Sequence, residues 1–360
     1  LATSRPLIGL SWVFKMNPLF SYIGRRVGFI VIVLLFVVTI TFILMHILAP
    51  NPITVWFGKL AGYNPTLMKL YISVYHLDQP LYVQWFYYVL GVFSGYWGIS
   101  TIYHKPVVDV VAVTLPLTIQ ILIVSSILTG ILGVFLGIAA ARSAGRWPDS
   151  VITGFYFVSY VIPGFLLAVI LMVIFAGVLK VLPSGGVASP GTPLPHPITY
   201  IPIIDALLEG KWSIELDLLR HLVLPSLANA LASFGVITRV LKEGILDNLN
   251  RDFIRAARAR GIPSRMVFSY AYKEASLPVV TLMALIVAGM LSGDVFVEYI
   301  FAYPGIGWYY VNAIYMYDYA SVLALTFIFA LAYILANLAA DILYAVIDPR
   351  VRYSYGWVRV

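Results

Sequence analysis

The chain contains no cysteine, so disulfides, thiolate catalysis and cysteine-ligated metals are excluded from the outset. Charge is nearly as scarce: 11% of the 360 residues are Asp, Glu, Lys or Arg, against 61% that are apolar. A water-soluble domain so poor in charge would expose large apolar patches, which makes the bilayer the expected solvent. Five scattered histidines offer no pair at metal-ligand spacing. No segment reads G-x-x-x-x-G-K-S/T, so the chain has no P-loop and is not expected to hydrolyse ATP itself. G-x-S-x-G and H-E-x-x-H are also missing, and the reading is of a protein that is not an enzyme. The net charge of +7 comes without a basic-aromatic stripe, so nucleic acid is not an expected partner. In a membrane protein such an excess reports orientation.

What is present is a set of charge-free apolar windows. A bilayer core of ~30 Å needs about 20 apolar residues in a helix. Six windows qualify as spans: 27–49, 113–141, 151–179, 222–238, 275–293 and 319–340. The first follows Arg25 and Arg26 with no small-residue cleavage site behind a short core, and is expected to be a retained helix rather than a signal peptide. Three other charge-free windows are set aside. Residues 181–204 are too rich in proline for a lipid-exposed helix. Residues 81–104 and 299–317 are crowded with Tyr, Trp and Gly, as interfacial segments are.

Loop charge tests this count. With residues 1–26 inside, the cytoplasmic segments become 1–26, the turn around Arg142 and Arg146, 239–274 and 341–360. They hold 17 of the 23 Lys and Arg. The outer segments are then 50–112, 181–221 and 294–318. A seventh span at 81–104 would reverse that bias. The fold class expected is therefore all-α integral membrane, with six transmembrane helices and a long outer segment carrying interfacial helices after the first.

Ion-coupled carriers place ionisable groups near the membrane midplane. The central parts of all six windows contain none; His46, Asp294 and Asp341 lie toward window ends. Uphill transport by this chain would need energy from a partner.

The segment between the fourth and fifth windows is the most informative. Arg251 to Arg260 reads Arg-Asp-Phe-Ile-Arg-Ala-Ala-Arg-Ala-Arg, which favours a short helix stopped by Gly261 and Pro263. Phe253, Ala256, Ala257 and Arg260 share a face by three-and-four spacing. Two adjacent alanines before a glycine make a low-relief surface that another protein can approach closely.

Ala256-Ala257, three residues, then Gly261, with Leu277-Pro278 beyond, resembles the cytoplasmic "EAA" loop of ABC-importer permeases, with Arg255 in the usual Glu position. Further stretches resemble the B-type permease subunit of the dipeptide/oligopeptide family. They are residues 22–52, the run His76 to Trp85, the run Val297 to Gly307, and residues 341–353 with Asp348-Pro349-Arg350. Only residues 1–15 and 181–204 fall outside the resemblance.

The resemblance implies a type I importer fold and a subunit that forms half of a translocation pathway for peptides. It implies a second homologous permease subunit, two cytoplasmic ATPase subunits that bind ATP and Mg, and an extracytoplasmic substrate-binding protein. This chain would hold no cofactor of its own. Arg255, Ala256, Ala257 and Gly261 would form the ATPase-coupling surface. Pro163-Gly164 is the candidate hinge, whereas Pro278 suits a plain helix start. Gly130, Gly133 and Gly137 are expected to pack helices closely. Asp294 and Glu298, with Asp318, lie near the outer mouth, where they would attract a cationic group of the substrate. Trp56, Trp85 and Trp97 mark the outer segment as an interfacial belt or a docking platform. Oligosaccharide cargo on the same machinery, and a stand-alone channel or carrier, are the competing functions.

Overall fold

The computed structural model describes residues 18–48, 65–293 and 295–347, and these are helical almost throughout, with no strand among them. Asp294, Trp56 and the Asp348-Pro349-Arg350 run lie outside the described residues. The helices are α1 (Pro18–Leu48), α2 (Pro65–Tyr75), α3 (Leu81–Ser94), α4 (Val107–Arg142), α5 (Trp147–Val161), α6 (Gly164–Leu171, continued by a π-helical stretch Met172–Val178) and α7 (Pro202–Leu208). There follow α8 (Trp212–Leu249), α9 (Asp252–Ala259), α10 (Ser264–Gly293), α11 (Val295–Ile300), α12 (Ile306–Tyr315) and α13 (Tyr319–Ile347). Five of them, α1, α4, α8, α10 and α13, are long and apolar enough to cross a membrane.

The remaining span, expected over 151–179 with Pro163-Gly164 as its candidate hinge, is broken at that dipeptide. Its two halves, α5 and α6, are bent by 106° at Ile162-Pro163. Proline lacks the N–H that would continue the ladder and crowds the preceding turn. Both halves nevertheless pack along α8 in one direction. Asp149 pairs with Lys242, Tyr156 lies against Gly235, Gly164 against Ala232, and Ala168 and Leu171 cluster with Leu224 and Ala228. The pair therefore progresses steadily outward along α8, as one broken span does.

Helix α8 is the centre of the bundle. Of its most apolar stretch 67% is buried, against 22–33% in the other four unbroken spans, which leave wide apolar faces for lipid or partner. It is approached most closely by α4, where small residues remove the obstacle. A Cβ on Gly133 would lie 2.6 Å from Ile237, and one on Gly137 would lie 3.1 Å from Leu241. Gly130 instead faces Met283 of α10.

Helices α8 and α10 begin ten or more residues before their windows. Helix α10 starts at Ser264 rather than near Ala275, because Val267 and Ala271 bury against Ile245 and Ile254 on the inner side. Pro278 thus lies well inside α10 and is not a helix start. Helix α8 likewise runs past 222–238 in both directions, burying Leu218 at one end and Leu241, Ile245 and Asn248 at the other.

The outer segment is not a detached belt. Helix α3 lies on α1, with Trp85 Nε1 donating to Thr39 Oγ1 at 3.1 Å. Val92 packs with Leu34, Val38 and Phe327.

Candidate functional site

At one end of the bundle, α9 is fixed to the body by one face. Ile254 is wholly buried and Ala257 8% exposed, packed with Ile245, Val267 and Ala271. The helix ends in a Schellman turn. Gly261 sits at φ +74° with its N–H on Arg258 O (2.9 Å), and the Ile262 N–H reaches Ala257 O (3.2 Å). A Cβ on Gly261 would meet nothing within 4 Å, so the glycine is needed for backbone conformation and not for a close approach. Beyond the turn, the Asn248 amide donates to Ala271 O at 3.1 Å, tying α8 to α10.

This separates the two alanines. Ala257 turns inward with Ile254, while Ala256 shares the exposed face with Phe253 and Arg260. The expected common face of Phe253, Ala256, Ala257 and Arg260 is corrected accordingly. The Ile254/Ala257 spacing, three residues apart, was the signal for the inward face. Arg255 is exposed and lies 3.3 Å from Asp252, a solvent-facing pair of little energetic weight. Arg251, Arg258, Arg260 and Arg265 are exposed and in no ion pair among the described residues.

Other inner charges are used internally. Lys242 pairs with Asp149, whose other oxygen accepts the Gly145 N–H at 3.1 Å. The Arg142 guanidinium lies 4.8 Å from the Phe268 ring centre, joining α4 to α10.

At the opposite end of the bundle, Glu298 is wholly buried and does not line a mouth. Its Oε2 accepts the N–H groups of Gly307 (2.7 Å) and Trp308 (3.1 Å), which are otherwise orphaned at the start of α12. Thr118 of α4 accepts the Ile306 N–H at 2.9 Å and bonds the same carboxyl. Here Gly305 and Gly307 are needed for space, since a Cβ on either would run into the Glu298 carboxyl. Asp318 is also wholly buried; it accepts from Ser100 and Ser321 and caps α13. Both acids are structural anchors, which corrects their reading as substrate attractors.

Three polar residues within the spans escaped sequence reasoning. Gln120, wholly buried in α4, donates to the Tyr303 hydroxyl (2.6 Å) and accepts the Ile203 N–H (2.8 Å), so it holds two outer loops at once. Asn229 and Ser233, one turn apart on α8, line a cleft of about 410 Å³ together with Gly164 and Phe165 at the α5/α6 break. Gln120 and Asn229 are the only side-chain amides in the windows 113–141 and 222–238, the signal that was available.

Among the described residues there is no group of His, Cys, Asp or Glu that could hold a metal ion. The arrangement has an uncharged span interior and an exposed basic helix braced against the central span. Two family models cover nearly all of it. The model for the binding-protein-dependent transport system inner membrane component matches residues 133–353, and that for the N-terminal part of such membrane components matches residues 19–122. The chain is 33% identical to the probable D,D-dipeptide transport system permease protein DdpB of Escherichia coli, over 92% of this chain and 97% of that protein. It is 31% identical to the oligopeptide transport system permease protein AppB of Bacillus subtilis, over 92% and 99%. With the glutathione transport system permease protein GsiC of Salmonella typhimurium it shares 32% identity, over 93% and 99%. A broken six-span bundle matched along both family models fixes the assignment: the chain belongs to the binding-protein-dependent transport system inner membrane components, the permease subunits of ABC importers.

Proposed function

We propose that the chain is one of two homologous permease subunits in a peptide importer, with both termini cytoplasmic. Two ATPase subunits dock beneath it and a substrate-binding protein delivers cargo from outside. The observation that carries this reading is α9: a short helix braced on one face by Ile254 and Ala257, its other face exposed and basic. It follows directly on α8, the most buried span, so a displacement of α9 is passed to the centre of the bundle.

Ala256, Arg255 and the neighbouring arginines form the docking surface. Ala257 and Gly261 hold the helix in the posture the ATPase meets. Closure of the ATPases on ATP and Mg shifts the permease between inward- and outward-facing states, and does so only in proportion to their differential affinity for the two. Pro163-Gly164 serves as the hinge in this reading, because the break already interrupts the ladder there. The names of the relatives favour peptides over the oligosaccharide alternative. Family membership and the uncharged interior argue against a stand-alone carrier.

Expression with its partners and purification through this chain tests the reading. A second permease and two ATPases are expected to co-purify, and the reconstituted assembly is expected to take up labelled peptides on ATP hydrolysis. The isolated chain should hydrolyse no ATP. Peptide uptake by the chain alone would overturn the proposal.

A further inference from the structure

The break between α5 and α6 lies deep in the span. Helix α5 runs 15 residues from Trp147, which at ~1.5 Å per residue is about 22 Å. Pro163 has no N–H, and the amides of Gly164 and Phe165 precede the first internal bonds of α6, which run from Leu166 and Leu167 to Pro163 O. Irregular backbone at such depth is tolerated only inside protein or beside a water-filled cavity. Gly164 and Phe165 both line the 410 Å³ cleft, which Phe296 of α11 borders as well, its ring centre 6.3 Å from that of Phe165.

Opposite the break, in the middle of α8, stand Asn229 and Ser233. Asn229 is 7% exposed, and its Nδ2 makes one long bond, 3.4 Å to Ser125 Oγ. Its carbonyl oxygen and second N–H are left for another partner. Nothing in the lining is charged.

We propose that this cleft is a subsite on the transport route for the main chain of a peptide, with Asn229 hydrogen-bonding a passing peptide unit. An amide presents a donor and an acceptor side by side, the complement of a peptide group. Ser233 and the first amides of α6 offer further bonds next to it. The uncharged lining neither requires nor traps a charged side chain, so peptides of differing sequence share one contact. A few neutral hydrogen bonds also hold weakly enough for the cargo to leave. The inference rests on the peptide-importer reading, but its test separates the two.

The absence of native cysteine allows single-cysteine labelling. In the assembled transporter in proteoliposomes, Asn229→Cys and Ser233→Cys are expected to react with a membrane-impermeant thiosulfonate in at least one nucleotide state. A translocating dipeptide should slow that reaction. Phe135→Cys, on the exposed apolar side of α4, should stay unlabelled throughout. Asn229→Leu should lower kcat/KM for peptide uptake about tenfold, the loss of one neutral hydrogen bond, with Asn229→Gln recovering part of it. Failure of Asn229→Cys to label in every state overturns the proposal, as does wild-type uptake by Asn229→Leu in an assembled complex. If Asn229→Leu does not assemble, the labelling of Asn229→Cys decides. An intact complex that labels but takes up no peptide defeats the peptide reading and leaves the cleft as a route.

Discussion

The inner helix α9 and the outer pair α11–α12 are both short, both adjoin long spans, and both carry charge, yet they use it in opposite ways. At the α11–α12 end, Glu298 and Asp318 are wholly buried, and each accepts hydrogen bonds that hold a helix start in place. Inside, the arginines of α9 are exposed and the helix is held by Ile254 and Ala257. A buried acid at a helix start is part of the scaffold. A basic face on which, among the described residues, only Arg255 has an acidic partner, the exposed Asp252, leaves its other arginines open to another protein. The contrast makes the buried acids part of the scaffold and supports the proposal that the exposed arginines of α9 serve contact.

The largest effect that tests this contrast is at Glu298. Glu298→Ala leaves the buried N–H groups of Gly307 and Trp308 without a partner and should cost about 3 kcal/mol, read as a lowered unfolding temperature of the detergent-solubilised chain. Glu298→Gln should recover part of the loss. If Glu298→Ala unfolds like wild type but loses peptide selectivity, the outer acid belongs to the route after all.

Next come the two alanines. Ala257→Leu presses into Ile245, Val267 and Ala271 and should cost roughly 1–3 kcal/mol. Ala256→Leu should stay within about 0.5 kcal/mol of wild type in stability while weakening ATPase association, measured by co-purification. Equal stability loss at both positions would dissolve the distinction between faces. Gly261→Val forces a branched side chain into φ +74° and should cost about 1–3 kcal/mol locally, with ATP hydrolysis continuing and peptide uptake lost.

The smallest effect is at the Lys242–Asp149 pair, whose side chains are 17% and 13% exposed. Asp149→Asn takes the carboxylate away from Lys242 and should cost under about 1 kcal/mol, checked by thermal unfolding of the detergent-solubilised chain.

Much of the helix inventory was legible because it depends on local composition. The windows 113–141 and 319–340 lie within α4 and α13, and the stop at Gly261 follows from neighbouring residues. The extensions of α8 and α10 were not legible. The turns of α8 beyond Thr238 and of α10 before Ala275 bury together with α9, in one cluster of Ile245, Ile254, Ala257, Val267 and Ala271. The break in the third window could be placed at Pro163-Gly164, but its 106° bend depends on packing against α8. Gln120 was passed over because its partners, Tyr303 and Ile203, lie 183 and 83 residues away.

By itself, the sequence determined the solvent, the absence of midplane charge, the basic inner loop and the family resemblance, since hydropathy, charge and motif spacing are properties of neighbouring residues. Only the tertiary structure decided which of two adjacent alanines faces outward, and which acids are anchors. It also decided where a lone asparagine opens on a cleft. Burial is the reason: it is set by side chains far along the chain, and desolvation turns chemically similar residues to opposite uses.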